Sequence, residues 1–484
     1  MHLTELSLLE LASKLADKST SSLEATEAAL GRIAELQPKL NAFIQLDEAG
    51  ARQAAKASDE RRRQGKALGP LDGVPIALKD NIFVEGLKTT CASRMLENFV
   101  APSDAAVTSR LREAGMVLLG KLNMDEMAMG SSSASSWFGP THNPYALGYS
   151  PGGSSGGATA AVAARLLWAA LGSDTGGSIR QPASFCNVVG MKPSFGRVSR
   201  QGVVAYASSL DQVGCVARTV KDTAALLGVL AQPDEEDVLC KPEAGGDYTQ
   251  GLEAGIVGMR IGLWRESLES ADEEVAARVR EAAKACERLG AKVVEVSCAL
   301  SHLAPLAYAI VSAAEASSNL ARLDGIRYGY AHRDAKNLKE LYFKSRGEGF
   351  GQAVKNKLVL GTFVLSTGYY EAFFVRAAKL RTLLCEEINR ALQSVDVVLG
   401  PVASTPAFPL DFKPSPAQSA ALDRHTVLAN LAGLPALSLP YGFSAGGLPV
   451  GVQLMGRAFE EATLLRCAYA LEQDNPSFRK APSL

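Results

Sequence analysis

Short apolar runs alternating with helical stretches constrain this chain more than any other feature. Val74-Pro-Ile-Ala-Leu78 and Met116-Val-Leu-Leu119 read as buried strands, and the helix between them would be capped by Ser103-Asp104 and ended by Gly115. The pattern returns downstream. Asp272 to Leu289 reads as a helix closed by Gly290 and followed by the strand Lys292-Val-Val-Glu-Val296. Further runs at Val395–Leu399, Ala436–Leu439 and Val450–Leu454 precede a closing helix from Glu460 to Glu472. Repeated strand-helix alternation of this kind predicts an α/β sheet covered by helices on both faces.

Length alone, 484 residues, allows about three domains or one large α/β domain with additions. Residues 1–60 are expected to form an N-terminal helical layer. Ser21-Ser-Leu-Glu24 fits a capping box, Leu23, Leu30 and Ile33 recur at helical spacing, and Pro38 would stop the helix. Residues 61–484 would form the main body. Within it the stretch of about 299–374 is helical in pattern and strand-poor, an insertion placed to border a substrate pocket. Asp411 to Asp423, rich in proline and serine, reads as a loop.

Composition removes several functions. Lys and Arg number 50 against 51 Asp and Glu, a net charge of -1, so the chain has no basic field for gripping a phosphate backbone. The five histidines show no His-x-x-x-His spacing and the eight cysteines no Cys-x-x-Cys, so no metal site is expected. Cysteines spread in this way read as buried apolar residues in a reducing compartment. Met1-His-Leu-Thr-Glu5 lacks the layout of a signal peptide. The longest apolar stretch, Ala158 to Leu171, holds Arg165 and falls short of the roughly 20 residues a bilayer requires. A soluble, cytoplasmic chain with no membrane partner is the expectation.

The chemistry concentrates in one glycine-rich region, Pro151-Gly-Gly-Ser-Ser-Gly-Gly157, an Ala-rich helix, and then Gly172-Ser-Asp-Thr-Gly-Gly-Ser178-Ile-Arg-Gln-Pro182. A phosphate cradle would need a Lys-Ser/Thr pair that is absent here. A nucleophile elbow matches Gly152-Gly-Ser-Ser-Gly156, yet residues 143–151 read as loop where that motif needs a strand. The third reading is a Ser-Ser-Lys amide hydrolase. The run from Gly152 to Ala183 resembles the signature of the amidase signature family, with Lys79 in Ile76-Ala-Leu-Lys-Asp-Asn81 as a further landmark.

That resemblance implies a single large mixed central sheet, Ser178 as nucleophile, Ser154 as a bridging serine on a cis peptide, and Lys79 as the base. A neutral hydroxyl attacks an amide poorly, so Ser178 would pass its proton through Ser154 to Lys79. Lysine can accept it only when neutral, which requires its pKa to fall from about 10.4 towards 7. Backbone N–H groups of Thr175, Gly176, Gly177 and Ser178 would hold the oxyanion. Asp174 and Arg180 read as ion-pair or hydrogen-bond supports for the loop rather than reactants, and Asp80 and Asn81 as structural.

Further segments, among them Leu71-Asp-Gly-Val-Pro75, Lys121-Leu-Asn-Met-Asp-Glu126, Ser208-Ser-Leu-Asp-Gln212 and Glu315-Ala-Ser-Ser-Asn319, are similar to the glutamine-hydrolysing subunits of tRNA-dependent amidotransferases. The similarity implies glutamine as substrate and two other subunits in a heterotrimer. It also implies no cofactor in this chain, ATP and Mg2+ used by a partner, and tRNA reached only through that partner. Tyr308, Lys357 and Asp423 fall at the substrate-binding positions. Lys357 stands where relatives place an arginine, Ala309 where they place a second tyrosine, and Ser133-Ala-Ser135 where they carry Thr-Glu-Asn. A stand-alone amidase acting on another amide, and a non-catalytic scaffold, therefore stay open beside the glutaminase.

Overall fold

A computed structural model describes residues 2–484 apart from 244, 416, 417, 419, 420 and 476–479. Eleven strands make one sheet: β1 (Phe43–Leu46), β2 (Pro75–Lys79), β3 (Val117–Leu122), β4 (Ala169–Asp174), β5 (Val189–Lys192), β6 (Gln212–Ala217), β7 (Arg260–Trp264), β8 (Lys292–Val296), β9 (Val397–Pro401), β10 (Ala436–Phe443) and β11 (Pro449–Gly456). Their spatial order is β1-β3-β2-β4-β6-β5-β10-β11-β9-β7-β8. Parallel blocks β3-β2-β4 and β9-β7-β8 flank an antiparallel centre, so the sheet is mixed. Alternation along the strands feeds two cores. Val397 and Leu399 enter one, with the N-terminal helices, while Val398 enters the other, with the helices of the 304–394 stretch.

The apolar runs at 74–78, 116–119, 292–296, 395–399, 436–439 and 450–454 all fall on strands. Five further strands lack so plain a sequence signal. β1 pairs antiparallel with β3 and brings a strand into the expected helical layer. β4, Ala-Ala-Leu-Gly-Ser-Asp, continues the composition of the Ala-rich helix before it; that helix stops at Ala163, and Arg165 takes a left-handed turn (φ 60) that starts the strand. β5 and β6, and β7 further on, carry too few β-branched residues in too short a run to stand out.

Two boundary expectations are corrected. The first concerns Ser103-Asp104: the helix runs Ala106–Glu113 with no side-chain cap, because the Asp104 carboxylate accepts from Glu85 N at 2.7 Å and pairs with Arg112 at 2.6 Å. The second concerns Pro38, which lies inside the helix Ser22–Leu40; Asn41, at φ 50, ends it. The Ser21–Glu24 capping box is formed in full. The 299–374 stretch carries the helices Ala304–Asn319, Leu338–Gly349 and Gln352–Val364 and no strand among its described residues. Of the 411–423 loop, residues 416, 417, 419 and 420 lie outside the described residues. Among those described, no helix is long and apolar enough to cross a membrane.

Candidate active site

The site forms where β2 and β4, the third and fourth strands in the spatial order, end side by side. Lys79 closes β2 and is fully buried. Its Nζ donates to Ser154 Oγ at 2.7 Å, Ser155 Oγ at 2.9 Å and the Ser173 carbonyl at 3.2 Å. All three partners are neutral oxygens. Burial accordingly lowers the Lys79 pKa to about 7, against the weaker upward pull of Asp125, Asp174 and Asp211. The next residue could have cancelled that effect. Asp80, the first residue past β2, instead turns to Lys121 Nζ at 3.1 Å.

Ser154 follows a cis peptide bond from Gly153. Ser155 N donates to the Ser178 carbonyl at 3.0 Å, so the two serine loops are joined directly. Ser178 is 7% exposed and lines a cavity of about 400 Å3. The loop beneath it is organised by Asp174, whose carboxylate binds the Arg180 guanidinium in two-pronged fashion, both contacts at 3.0 Å. Arg180 also reaches Gln453 and Asn430, both at 2.6 Å. Burial works to raise the Asp174 pKa, but Arg180 outweighs it and holds the carboxyl well below the usual range.

This arrangement narrows the expected oxyanion donors. Gly177 N–H is turned into Asp174 Oδ1 at 2.8 Å, leaving the amides of Thr175, Gly176 and Ser178 from the predicted set. The two glycines also have packing reasons. A Cβ on Gly176 would sit 2.5 Å from the Tyr308 ring, and one on Gly177 would strike Thr426 at a φ of +129 that side chains avoid.

The cavity gathers all three expected substrate residues, Tyr308, Lys357 and Asp423, beside Ser178. Lys357 comes from the helix Gln352–Val364, whose N-terminus is tied down by Gly351 N donating to Glu126 at 2.9 Å. Its Nζ lies 5.4 Å from the Tyr206 ring centroid and 5.6 Å from that of Tyr308. Burial works to lower the Lys357 pKa, but Tyr206 and Asp423 outweigh it and raise it. Asp423 accepts from Ser131 Oγ at 2.8 Å, and burial pushes its pKa up to about 6, with Lys357 opposing. Asp211 is buried behind the wall. It accepts from Thr175 Oγ1 at 2.6 Å and from the amides of Tyr206 and Ala207, which fixes both flanks of the cavity to one carboxylate.

A family model described as Amidase matches residues 24–465. The chain belongs to the amidase family. This amidase is 53% identical to the A subunit of glutamyl-tRNA(Gln) amidotransferase from Myxococcus xanthus, over the whole length of both chains. Among solved structures it is similar to the corresponding A subunit from Thermotoga maritima, with a TM-score of 0.80 and 40% identity, covering 98% of this chain and 96% of that one. It is also similar to native peptide amidase from Stenotrophomonas maltophilia, at a TM-score of 0.83 and 33% identity, covering 99% and 98%.

Ser155, Ser173, Asp125, Ser131, Tyr206 and Asp211 escape a reading of the sequence alone. Ser155 and Asp211 stand inside segments that carry the family resemblance; Tyr206, in an unremarkable Val-Ala-Tyr-Ala run, carries no signal. A further buried lysine, Lys192 on β5, also falls to about 7 through burial and the nearby Arg180, but it donates to Pro193 O and is not part of the cavity wall.

Proposed function

We propose that this amidase is the glutamine-hydrolysing component of a tRNA-dependent amidotransferase. The observation that carries the reading is a cavity beside Ser178 whose wall presents an ammonium, Lys357, and the carboxylate of Asp423, in a chain matched end to end by a protein of that name. Glutamine is a zwitterion with a terminal amide, so a cation, an anion and a nucleophile in one cavity complement its three polar ends.

Neutral Lys79 takes a proton from Ser154 as Ser154 takes one from Ser178, and Ser178 Oγ attacks the side-chain amide carbon. The amides of Thr175, Gly176 and Ser178 stabilise the oxyanion. Collapse breaks the C–N bond, the departing ammonia receives the proton back through Ser154 from Lys79, and water hydrolyses the glutamyl ester. Ammonia then passes to a partner in a cytoplasmic heterotrimer, where ATP and Mg2+ activate the acid on misacylated tRNA.

The expected result is glutaminase activity in the chain co-purified with its partners, increased by charged tRNA and ATP and abolished in Ser178→Ala. The second reading, a stand-alone amidase, draws on Lys357 in place of the planar guanidinium fork. Faster hydrolysis of simple amides than of glutamine, without partners, would establish it instead.

A further inference from the structure

We propose that Tyr206 is a specificity-determining residue that donates its hydroxyl to the substrate carboxylate, completing with Lys357 a two-donor clamp; this rests on the glutaminase reading above. Tyr206 is 2% exposed and lines the cavity that holds Ser178. Among the described residues its Oη makes no hydrogen bond of normal geometry; it lies within interaction range of the Lys357 ammonium and the Tyr308 hydroxyl, which leaves its own O–H without a well-aligned acceptor. A buried phenol left in this way is costly, and such groups are almost always satisfied. Position identifies what satisfies this one. The Lys357 ammonium stands over the Tyr206 ring, so the phenol O–H and the ammonium N–H groups converge on one region of the cavity, and two adjacent donors select an anion.

The clamp answers a chemical deficit. An arginine would offer a carboxylate two parallel N–H groups from one rigid plane, whereas Lys357 offers a single point charge on a flexible stem. Tyr206 supplies the second prong from a fixed backbone: its N–H is held by Asp211 at 2.8 Å and its carbonyl by Asn319 at 3.2 Å. Because the same Asp211 carboxylate holds Thr175, the second prong keeps a set distance from the Ser178 loop. Asp423, tethered by Ser131, lines the same cavity and is left for the substrate ammonium.

The test uses Tyr206→Phe in the co-purified complex with three substrates: glutamine, glutaramate, which lacks the ammonium, and 4-aminobutyramide, which lacks the carboxylate. KM for glutamine and glutaramate should rise about ten- to hundredfold, the loss expected for a hydrogen bond to a charged group. The kcat should stay within about twofold and 4-aminobutyramide should be unaffected. Lys357→Arg added to Tyr206→Phe should recover much of the glutamine KM. Unchanged KM for both carboxylate substrates, or an equal rise with 4-aminobutyramide, would overturn the proposal. The variant removes only the poorly aligned contacts of this hydroxyl with Lys357 and Tyr308, so its unfolding midpoint should shift little, and the KM comparison among the three substrates separates a binding role from a packing one. Wild-type complex that hydrolyses glutaramate and not glutamine would sink the glutaminase reading alone, and Tyr206 would still be decided on glutaramate.

Discussion

Two neighbouring strands each bury a lysine completely, and the fold treats the two side chains in opposite ways. Lys121 on β3 meets the Asp80 carboxylate at 3.1 Å and the Thr89 hydroxyl at 2.9 Å. Lys79 at the end of β2 meets two hydroxyls and a carbonyl. The first is a structural ion pair that anchors the segment after β2, where Thr90 also binds Asp80 through its amide and hydroxyl. The second is a lysine kept short of negative charge so that its neutral form is accessible near pH 7. One residue step past the end of β2 separates the two outcomes, because Lys79 reaches Ser154 and Ser155 while Asp80 reaches Lys121.

Breaking each lysine in turn tests the comparison. The largest effect should be on chemistry: Lys79→Met should lower kcat about 10^2- to 10^4-fold, the range for a lost general base. Comparable loss in Lys121→Met at full folding would erase the distinction. For stability the order reverses. Lys121→Met strands a buried carboxylate and should cost about 3–5 kcal/mol in denaturant unfolding, whereas Lys79→Met leaves no unpaired charge and should cost far less.

The pH dependence sharpens the contrast. Lys79 is lowered from 10.5 to about 7 in the fold, so the unfolded chain binds more protons between those values and folding stability rises with pH across that window. Relative to Lys79→Met, wild type should gain up to about 1.4 kcal/mol per pH unit from pH 7 to 10, and a flat difference would show that Lys79 is not desolvated. In the same way kcat/KM should fall about tenfold per unit below pH 7 as Lys79 becomes protonated. An acid limb near the ordinary lysine range would remove it as the base. The smallest effect separates the two hydroxyls on Lys79. Ser155→Ala should cost one net hydrogen bond, about 1 kcal/mol or roughly fivefold in rate, while Ser154→Ala costs much more. Equal losses would route the proton through Ser155.

How far the site can be read from sequence follows from the same geometry. The apolar strands, the capping box and the glycine-rich signature are local patterns, and each is visible in a window of a few residues. Lys79, Ser154 and Ser178 can be singled out because they sit in such windows. Tyr206, Asp211 and Ser131 cannot, because their importance comes from neighbours far along the chain: Tyr206 faces Lys357, Asp211 joins Thr175 to Tyr206, and Ser131 holds Asp423. The expected role of Gly177 shifts for a similar reason, since its amide is already taken by Asp174.

Apolar strands covered by helices and a serine–serine–lysine signature are legible in the chain alone, because hydrophobic periodicity and motif spacing are local properties. Only the fold brings a carboxylate to Lys121 and withholds one from direct contact with Lys79, and only the fold selects which polar side chains line the cavity beside Ser178. Those outcomes depend on distances in a low-dielectric interior, where a carboxylate on the near face of the sheet rather than the far one would change the chemistry.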